Sequence, residues 1–239
     1  MGTYALIHGA WHGGWCWERV VPLLEDAGHR VLAPDLPGHG GDRTPARDVT
    51  LAAYADRVCE VFEYAAEPVV LVGHSMGGLV ITEAAERRPE AVRALVYVTA
   101  FLPRDGETLG QIAARDPEAL VLPNLVPSED GVSAILRPEA VRDAFYGTCA
   151  PDDAARAQAR LVPQALAPFQ TPVHATAARW GRVPRTYVTC LRDRAITPRA
   201  QREMYTALPC RKVVPLDTDH SPFYSAPQAL AAVLLGAAP

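Results

Sequence analysis

The feature that most constrains this chain is a serine placed between an apolar strand and a helix. Val69–Val72 is a continuous β-branched and apolar run, Gly73-His74-Ser75-Met76-Gly77 follows it, and apolar residues then recur at helical spacing. A serine in a G-x-S-x-G turn between a strand and a helix has a strained backbone and an exposed hydroxyl. The alternative is a tight glycine turn with an idle serine. The flanking strand and helix patterns favour Ser75 as a nucleophile.

The rest of the chain alternates short apolar runs with helical stretches. The other strand candidates are Thr3–His8, Arg30–Ala33, Ala94–Thr99, Arg185–Cys190 and Arg211–Leu216. They are continuous apolar runs, which is typical of parallel strands covered on both faces. Helices are predicted at about 15–27, from Leu51 after the N-cap candidate Thr50, from Ser75 to before Pro89, from Pro198, and from about Pro227 to the C-terminus. The predicted fold class is therefore α/β, with a mostly parallel six-stranded sheet flanked by helices.

One long segment interrupts this alternation. Residues 103–182 contain no clear strand and are rich in alanine, proline and arginine. They favour helices, at Pro138–Tyr146 and, interrupted by Pro163, at Pro151–Phe169. Since a crossover needs only about a dozen residues, we interpret the segment as an insertion before the fifth strand. It would form a helical cap over the carboxyl ends of the strands, where such sheets bind ligands, and residues 1–102 and 183–239 would form the core.

A nucleophilic serine needs a base and an acid that orients it. His220 lies in a loop between the last predicted strand and the last helix, and Asp193 follows the fifth strand. The order serine, acid, histidine is the one expected for this kind of sheet. Asp105 is the main alternative to Asp193, whereas Asp217 and Asp219 are too close to His220 in sequence to reach the far ring nitrogen easily. A surface histidine in a polar loop is the alternative for His220.

The loop after the first strand should supply an oxyanion hole. Its glycines let backbone N–H groups turn inward, and we assign the hole to the N–H groups of Ala10 and Met76. His8 and His12 could be a second base or, with Cys16, metal ligands, but histidines that brace the loop are favoured. Gly9 and Trp11 are candidate pocket residues, although packing alone would also explain Trp11.

An apolar cluster in the predicted cap offers two more pocket candidates, Leu122 and Leu125. Packing within the cap is the favoured explanation for the cluster as a whole. If some of these side chains face the sheet, the pocket prefers apolar groups. We expect no metal site and no cofactor.

Composition excludes several other functions. The net charge is −4, acidic and basic residues are mixed, and no basic block suggests nucleic acid as a partner. No apolar run is long enough to predict a membrane span. The five cysteines include no C-x-x-C pair, and the first residues lack the pattern of a signal peptide. We expect a cytoplasmic protein with free thiols and a small ester-like substrate, and a homodimer is left open.

Together these blocks resemble the α/β-hydrolase superfamily over nearly the whole chain. The loop from His8 to Trp15, the turn from Ala33 to Gly40, and Gly73–Gly78 resemble the branch of plant methyl esterases, hydroxynitrile lyases and bacterial EstC-like carboxylesterases. The resemblance implies the strand order 2-1-3-4-5-6, the Ser75–His220–Asp193 triad and no cofactor. The lyases of this branch have a threonine and a lysine where this chain has Gly9 and Ser221, which disfavours lyase activity.

The predicted function is hydrolysis of an ester-type bond in a small, largely apolar substrate, through an acyl-enzyme. Two alternatives remain open at this point. One is a thioesterase, lactonase or cyclase that acts on a natural product with the same triad. The other is a ligand-binding receptor with little turnover, which the complete set of serine, histidine and aspartate disfavours.

Overall fold

A parallel β-sheet forms the centre of the computed structural model, which describes residues 2–237. In chain order the strands are β1 (Thr3–Ile7), β2 (Arg30–Leu32), β3 (Val69–His74), β4 (Val92–Val98), β5 (Leu125–Pro127), β6 (Ser133–Leu136), β7 (Gln164–Ala165), β8 (Arg185–Cys190) and β9 (Lys212–Leu216). Strands β1 to β4, β8 and β9 form one six-stranded sheet in the order β2-β1-β3-β4-β8-β9. All five pairings in this sheet are parallel. The predicted α/β sheet and its strand order are confirmed.

Helices lie between these strands and cover the sheet. They are α1 (Val21–Asp26), α2 (Leu51–Phe62), α3 (Gly77–Arg87), α4 (Leu109–Ala113), α5 (Pro138–Phe145), α6 (Pro151–Gln158), α7 (Ala167–Gln170), α8 (Pro198–Ala207), α9 (Pro222–Ser225) and α10 (Pro227–Leu235). Two of them begin as the sequence predicts. The Thr50 and Thr197 hydroxyls each accept a hydrogen bond from a backbone N–H in the first turn of α2 and α8, respectively.

The central strands are buried along their length because helices cover both faces of the sheet. Every residue of β3 is buried, and β4 is buried except for half-buried Arg93. This explains why both strands read as continuous apolar runs in the sequence. In a parallel sheet the carboxyl ends of all strands lie at one edge, so residues that follow different strands are brought together there.

The first predicted helix differs from the structure. In place of one helix over about 15–27, Gly14–Trp17 forms a 3-10 turn and α1 begins only at Val21. Pro22 lies at the second position of α1, where its missing N–H is harmless, whereas an earlier start would place it in the helix interior. At the other end of the chain α10 stops at Leu235, and residues 238–239 of the helix predicted to reach the C-terminus lie outside the described residues.

The segment 103–182, which we call the cap, is more than the predicted set of helices. It contains α4 to α7, and it also contains β5, β6 and β7, which form a small antiparallel sheet. The longest of these strands has four residues and the shortest has two. Such short strands leave no period that a sequence pattern could reveal, so the helices predicted for this segment are present but its small sheet was not predicted.

Among the described residues, every helix is too short or too polar to cross a lipid bilayer.

Candidate active site

Ser75 lies in the sharp turn between β3 and α3. Its φ is +53°, in the left-handed region that residues with a side chain rarely adopt. The turn is held because the Ser75 carbonyl accepts hydrogen bonds from the N–H groups of Gly78 and Phe101, at 3.0 and 3.1 Å. A side chain at Gly73 would not fit, since its Cβ would lie 2.6 Å from the Gly77 carbonyl oxygen. The serine is therefore held at the carboxyl end of the central strand, as the motif predicts.

The ring of His220 lies beside this turn, in the loop between β9 and α9. His220 is 1% exposed, and its Nδ1 lies 2.7 Å from Oδ2 of Asp193. Its backbone carbonyl accepts a hydrogen bond from Nε2 of His74, at 2.8 Å, so the residue before the serine also fixes the histidine loop. Ser75 and His220 line the same cavity. Among the described residues neither the serine hydroxyl nor Nε2 of His220 has a hydrogen-bond partner, each other included, so both groups are available in the cavity.

Asp193 lies after β8 and is held by several donors. Its Oδ1 accepts hydrogen bonds from the N–H groups of Ala195 and Ile196, at 2.6 and 3.0 Å. Its Oδ2 accepts from the Thr99 hydroxyl as well as facing the His220 ring. The carboxylate is fully buried, so these bonds replace the water that would otherwise solvate its charge. It can therefore fix the orientation and the tautomer of the His220 imidazole.

The alternative acids face elsewhere. Asp105 accepts a hydrogen bond from the N–H of Ala175, at 3.0 Å, and Asp217 pairs with Arg192 on the surface. Asp219 is buried, but its carboxylate accepts bonds from the N–H of Thr148 and from its own loop. The structure thus brings Asp193 to His220 and gives each of the other three carboxylates a different partner.

Two backbone N–H groups beside Ser75 are candidates to hold an oxyanion. Ala10 and Met76 both line the cavity beside Ser75. Neither N–H donates a hydrogen bond to any residue that the structure describes. The Met76 N–H also belongs to the start of α3, whose eleven residues direct a partial positive charge toward the same point. The arrangement can stabilise negative charge that develops on an oxygen next to Ser75.

His8 and His12 brace the loop that carries Ala10. The Leu36 N–H donates to Nε2 of His8, so Nδ1 of His8 donates to the carbonyl of Gly9, at 2.8 Å. Nδ1 of His12 donates to the carbonyl of Ala10, at 2.7 Å. Burial lowers the pKa of His12 to about 3 and that of His8 well below its usual range. Both rings are therefore neutral hydrogen-bonding braces at neutral pH.

His74 is a third neutral histidine in this region. Its ring is fully buried, with a centroid 4.6 Å from that of His220. Burial, together with the neighbouring His220, lowers the pKa of His74 well below its usual range. A neutral His74 adds no positive charge next to His220 when that ring takes up a proton.

The cavity above Ser75 is lined mainly by apolar side chains from the core and the cap. The space between its walls, with the open solvent at its mouth included, is about 600 Å³. Of the predicted pocket residues, Trp11, Leu122 and Leu125 line it. Gly9 does not, because it lies beneath the serine, where an added Cβ would meet Cβ of Ser75 at 2.7 Å. Other apolar lining residues are Phe101, Leu109, Ile112, Phe145, Phe169 and Ile196.

Three residues near the site were missed by the sequence analysis. Thr99 donates to Asp193 and has a φ of +37°, which is rare for a β-branched residue. His74 fixes the His220 loop, and Gln164 of the cap contacts the loop after β1. Only Thr99 left a usable signal, since it is a small polar residue directly after the strand next to β3.

The described residues contain no group of three or more histidine, cysteine, aspartate or glutamate side chains that could hold a metal ion. Cys16, near His12 in sequence, is fully buried, and burial raises the pKa of its thiol well above the usual range. The histidines that could have joined it are occupied by their hydrogen bonds within the loop. The side chains of His8 and His12 therefore stabilise the loop that carries Ala10.

Several known proteins resemble this chain in sequence and in fold. Residues 5–233 match the family described as "Alpha/beta hydrolase family". The chain is 37% identical to a pyrethroid hydrolase from Sphingobium wenxiniae, over 95% of this chain and 84% of that protein. It is 31% identical to Methylesterase 9 from Arabidopsis thaliana, over 98% of this chain and 97% of that protein. The solved structure of a pyrethroid hydrolase from Sphingobium faniae superposes with a TM-score of 0.87 at 31% identity, covering 98% of this chain and 96% of that one.

Proposed function

The chain belongs to the α/β-hydrolase family and is a carboxylic ester hydrolase, and we propose that it cleaves a small, largely apolar ester through an acyl-enzyme on Ser75. The predicted resemblance to the methyl esterase branch is confirmed by these relatives. One observation carries the mechanism. The His220 ring is anchored by Asp193 at Nδ1 and leaves Nε2 in the same cavity as the Ser75 hydroxyl and two unpaired N–H groups.

The first half of the reaction forms the acyl-enzyme. Nε2 of His220 takes the proton of the Ser75 hydroxyl while the serine oxygen attacks the ester carbonyl carbon. The carbonyl oxygen becomes an oxyanion and accepts hydrogen bonds from the N–H groups of Ala10 and Met76. The carbon–oxygen bond to the alcohol then breaks, and the alcohol leaves with the proton held by His220.

The second half releases the acid. A water molecule gives a proton to Nε2 of His220 and attacks the acyl carbon, and the same two N–H groups hold the second oxyanion. Collapse of this intermediate returns the serine oxygen, which regains its proton from His220. Asp193 stays ionised throughout and stabilises the imidazolium that forms twice in each turnover.

The cavity favours an apolar substrate. Phe145, Phe169 and Leu125 of the cap face the serine across a lining with little polar surface, and no arginine or lysine of the described chain belongs to that lining. An anionic substrate would lose its hydration there without gaining a cationic partner from arginine or lysine. The names of the relatives, a pyrethroid hydrolase and a methylesterase, agree with apolar esters. The same lack of a cation beside His220 gives a departing cyanide no counter-charge and disfavours a lyase.

The test is a panel of p-nitrophenyl and methyl esters with acyl groups from acetate to phenylacetate, with matched thioesters. We expect wild type to prefer esters of compact apolar acids and Ser75→Ala to lose at least about 10⁴-fold in kcat. Ser128→Ala, on the outer part of the cap, is the matched control and should retain the wild-type rate. A fluorophosphonate probe should label wild type at Ser75 and fail to label Ser75→Ala.

Three outcomes would contradict the proposal. Undiminished ester hydrolysis by Ser75→Ala would remove the serine mechanism. Tight binding of the apolar esters without turnover by wild type would favour the receptor alternative, and a preference for thioesters would favour the tailoring enzyme.

A further inference from the structure

The residue after Ala10 has an unusual backbone and unusual partners. Trp11 has a φ of +62°, so it adopts the left-handed conformation without being a glycine. All three of its polar groups bond to the cap. Its N–H donates to Oε1 of Gln164 at 3.4 Å, its carbonyl accepts from the N–H of Val162 at 3.0 Å, and its indole Nε1 donates to the carbonyl of Ala134 at 2.9 Å.

Gln164 is the side chain at the centre of these contacts. It lies in β7 and is fully buried. Its Oε1 also accepts from Nε2 of His39 at 2.9 Å, in the loop after β2. Its Nε2 donates to the Tyr54 hydroxyl of α2 at 3.1 Å and to the carbonyl of Ala165 at 2.8 Å. One cap amide is thus hydrogen-bonded to two loops and one helix of the core, and both its oxygen and its nitrogen have two partners.

A second route leads from the cap to the same loop. The Tyr146 hydroxyl, at the end of α5, donates to Nε2 of His12 at 2.7 Å. Nδ1 of His12 donates in turn to the carbonyl of Ala10. On the other side of Ala10, Nδ1 of the core residue His8 donates to the Gly9 carbonyl. This carbonyl and the Ala10 N–H belong to the same peptide group. The peptide planes on both sides of Ala10 are therefore fixed, one by the core and one by the cap.

We propose that Gln164 is a positioning residue: it holds Trp11 in its left-handed conformation and, through the Ala10–Trp11 peptide, keeps Ala10 where the N–H of the His8-braced Gly9–Ala10 peptide faces the oxyanion, so that the oxyanion hole depends on the docked cap. This inference rests on the proposed serine mechanism. A left-handed tryptophan persists only where surrounding contacts outweigh its strain, and here those contacts come from the cap. Without Gln164 the Trp11 N–H loses its acceptor, and Trp11 can relax toward negative φ and displace Ala10, so that the Ala10 N–H moves away from the oxyanion.

The consequence is a link between enclosing the substrate and stabilising the transition state. Trp11 also packs against Phe145 and Phe169 of the cap, with ring centroids 5.7 and 5.9 Å away, and all three line the cavity. The cap that covers an ester thus also holds the residue next to the oxyanion donor. A donor that is misaimed by about 1 Å stabilises the transition state much less, while binding of the ground-state ester changes little.

The experiment compares two substitutions of Gln164 with a matched substitution of Gln158, whose amide bonds to the Pro138 carbonyl within the cap. Gln164→Met fills a similar volume without an acceptor, Gln164→Glu keeps an accepting oxygen, and Gln158→Met is the control. We expect Gln164→Met to lose about 10- to 100-fold in kcat with KM within about threefold of wild type. Gln164→Glu should recover part of that loss, and Gln158→Met should match wild type.

Affinity for a phenylalkyl boronic acid separates positioning from general damage, because its tetrahedral adduct with the serine places an oxygen in the oxyanion hole. For Gln164→Met this affinity should fall in parallel with kcat, whereas affinity for the corresponding alcohol should stay within about threefold. If Gln164→Met does not fold, Tyr146→Phe tests the second route, with an expected loss of about 3- to 10-fold in kcat.

The inference would be overturned if the Gln164 variants raised KM at unchanged kcat, or lost boronic acid and alcohol affinity equally. It would also be overturned if Gln158→Met lost as much kcat as Gln164→Met. Failure of the proposed function looks different, because Ser75→Ala would then keep the wild-type rate whatever the Gln164 variants do.

Discussion

Replacing Asp193 by asparagine should test the triad most directly. Asparagine has the shape of aspartate, and its Oδ1 can still accept the N–H groups of Ala195 and Ile196. Its amide nitrogen then takes the place of Oδ2, facing the Thr99 hydroxyl and Nδ1 of His220. That nitrogen donates to Nδ1, so the neutral ring must carry its proton on Nε2. In this tautomer His220 cannot accept the Ser75 proton.

The size of the effect follows from this change of tautomer. The carboxylate of Asp193 is fully buried and the side chain of His220 is only 2% exposed, so no water can substitute for the lost carboxylate. We expect kcat to fall by about 10³- to 10⁴-fold, which corresponds to about 4–5.5 kcal/mol in activation free energy. The thermal unfolding midpoint should change by only a few degrees, because the substitution preserves packing and removes a buried charge.

The assay measures kcat and KM for a p-nitrophenyl ester, with burst kinetics to separate acylation from deacylation. Asp105→Asn is the matched control, since Asp105 was the main alternative acid and its carboxylate bonds to the Ala175 N–H. It should retain activity within about threefold of wild type. The reasoning would be refuted if Asp193→Asn lost less than about tenfold in kcat, or if Asp105→Asn lost as much as Asp193→Asn.

Two further substitutions probe the loop that carries the oxyanion donor Ala10. Gly9→Ala should lower kcat in the same ester assay by at least about 100-fold, because its Cβ would lie 2.7 Å from Cβ of Ser75. Gly147→Ala is the control, because its Cβ meets nothing closer than 3.8 Å, and it should leave the rate unchanged. Burial lowers the pKa of His12 to about 3, so between pH 6.5 and 3 the unfolded chain binds a proton that the native chain does not. The free energy of unfolding therefore decreases as the pH is lowered through that window. His12→Gln should reduce this slope by up to about 1.4 kcal/mol per pH unit in urea unfolding, and exposed His174→Gln serves as the control; equal slopes in all three proteins would contradict the assignment.

Much of the site could be predicted because it depends on local pattern and on the topology of a parallel sheet. Ser75 was identified from a strand, two glycines and a helix, all within one stretch of chain. His220 was identified because it follows the last strand, and the carboxyl ends of parallel strands meet at one edge. Neither inference needs knowledge of a distant side chain.

The support around these residues could not be predicted, because it depends on contacts between segments far apart in sequence. Thr99 reaches Asp193 across 94 positions, and Gln164 reaches Trp11 across 153. Nothing in the composition of the cap distinguishes Gln164 from its other polar residues. The antiparallel sheet that places Gln164 is built from strands of two to four residues, which leave no periodic signal.

The sequence by itself determined the sheet, the nucleophile and the position of the base, because hydrophobic periodicity and turn chemistry are local properties of the chain. The sequence favoured Asp193 among four candidate carboxylates, but only the tertiary structure shows which of them contacts His220 and which cap side chains contact the oxyanion loop. Those choices depend on distances of about 3 Å between groups that packing alone brings together, and a one-dimensional pattern does not contain them.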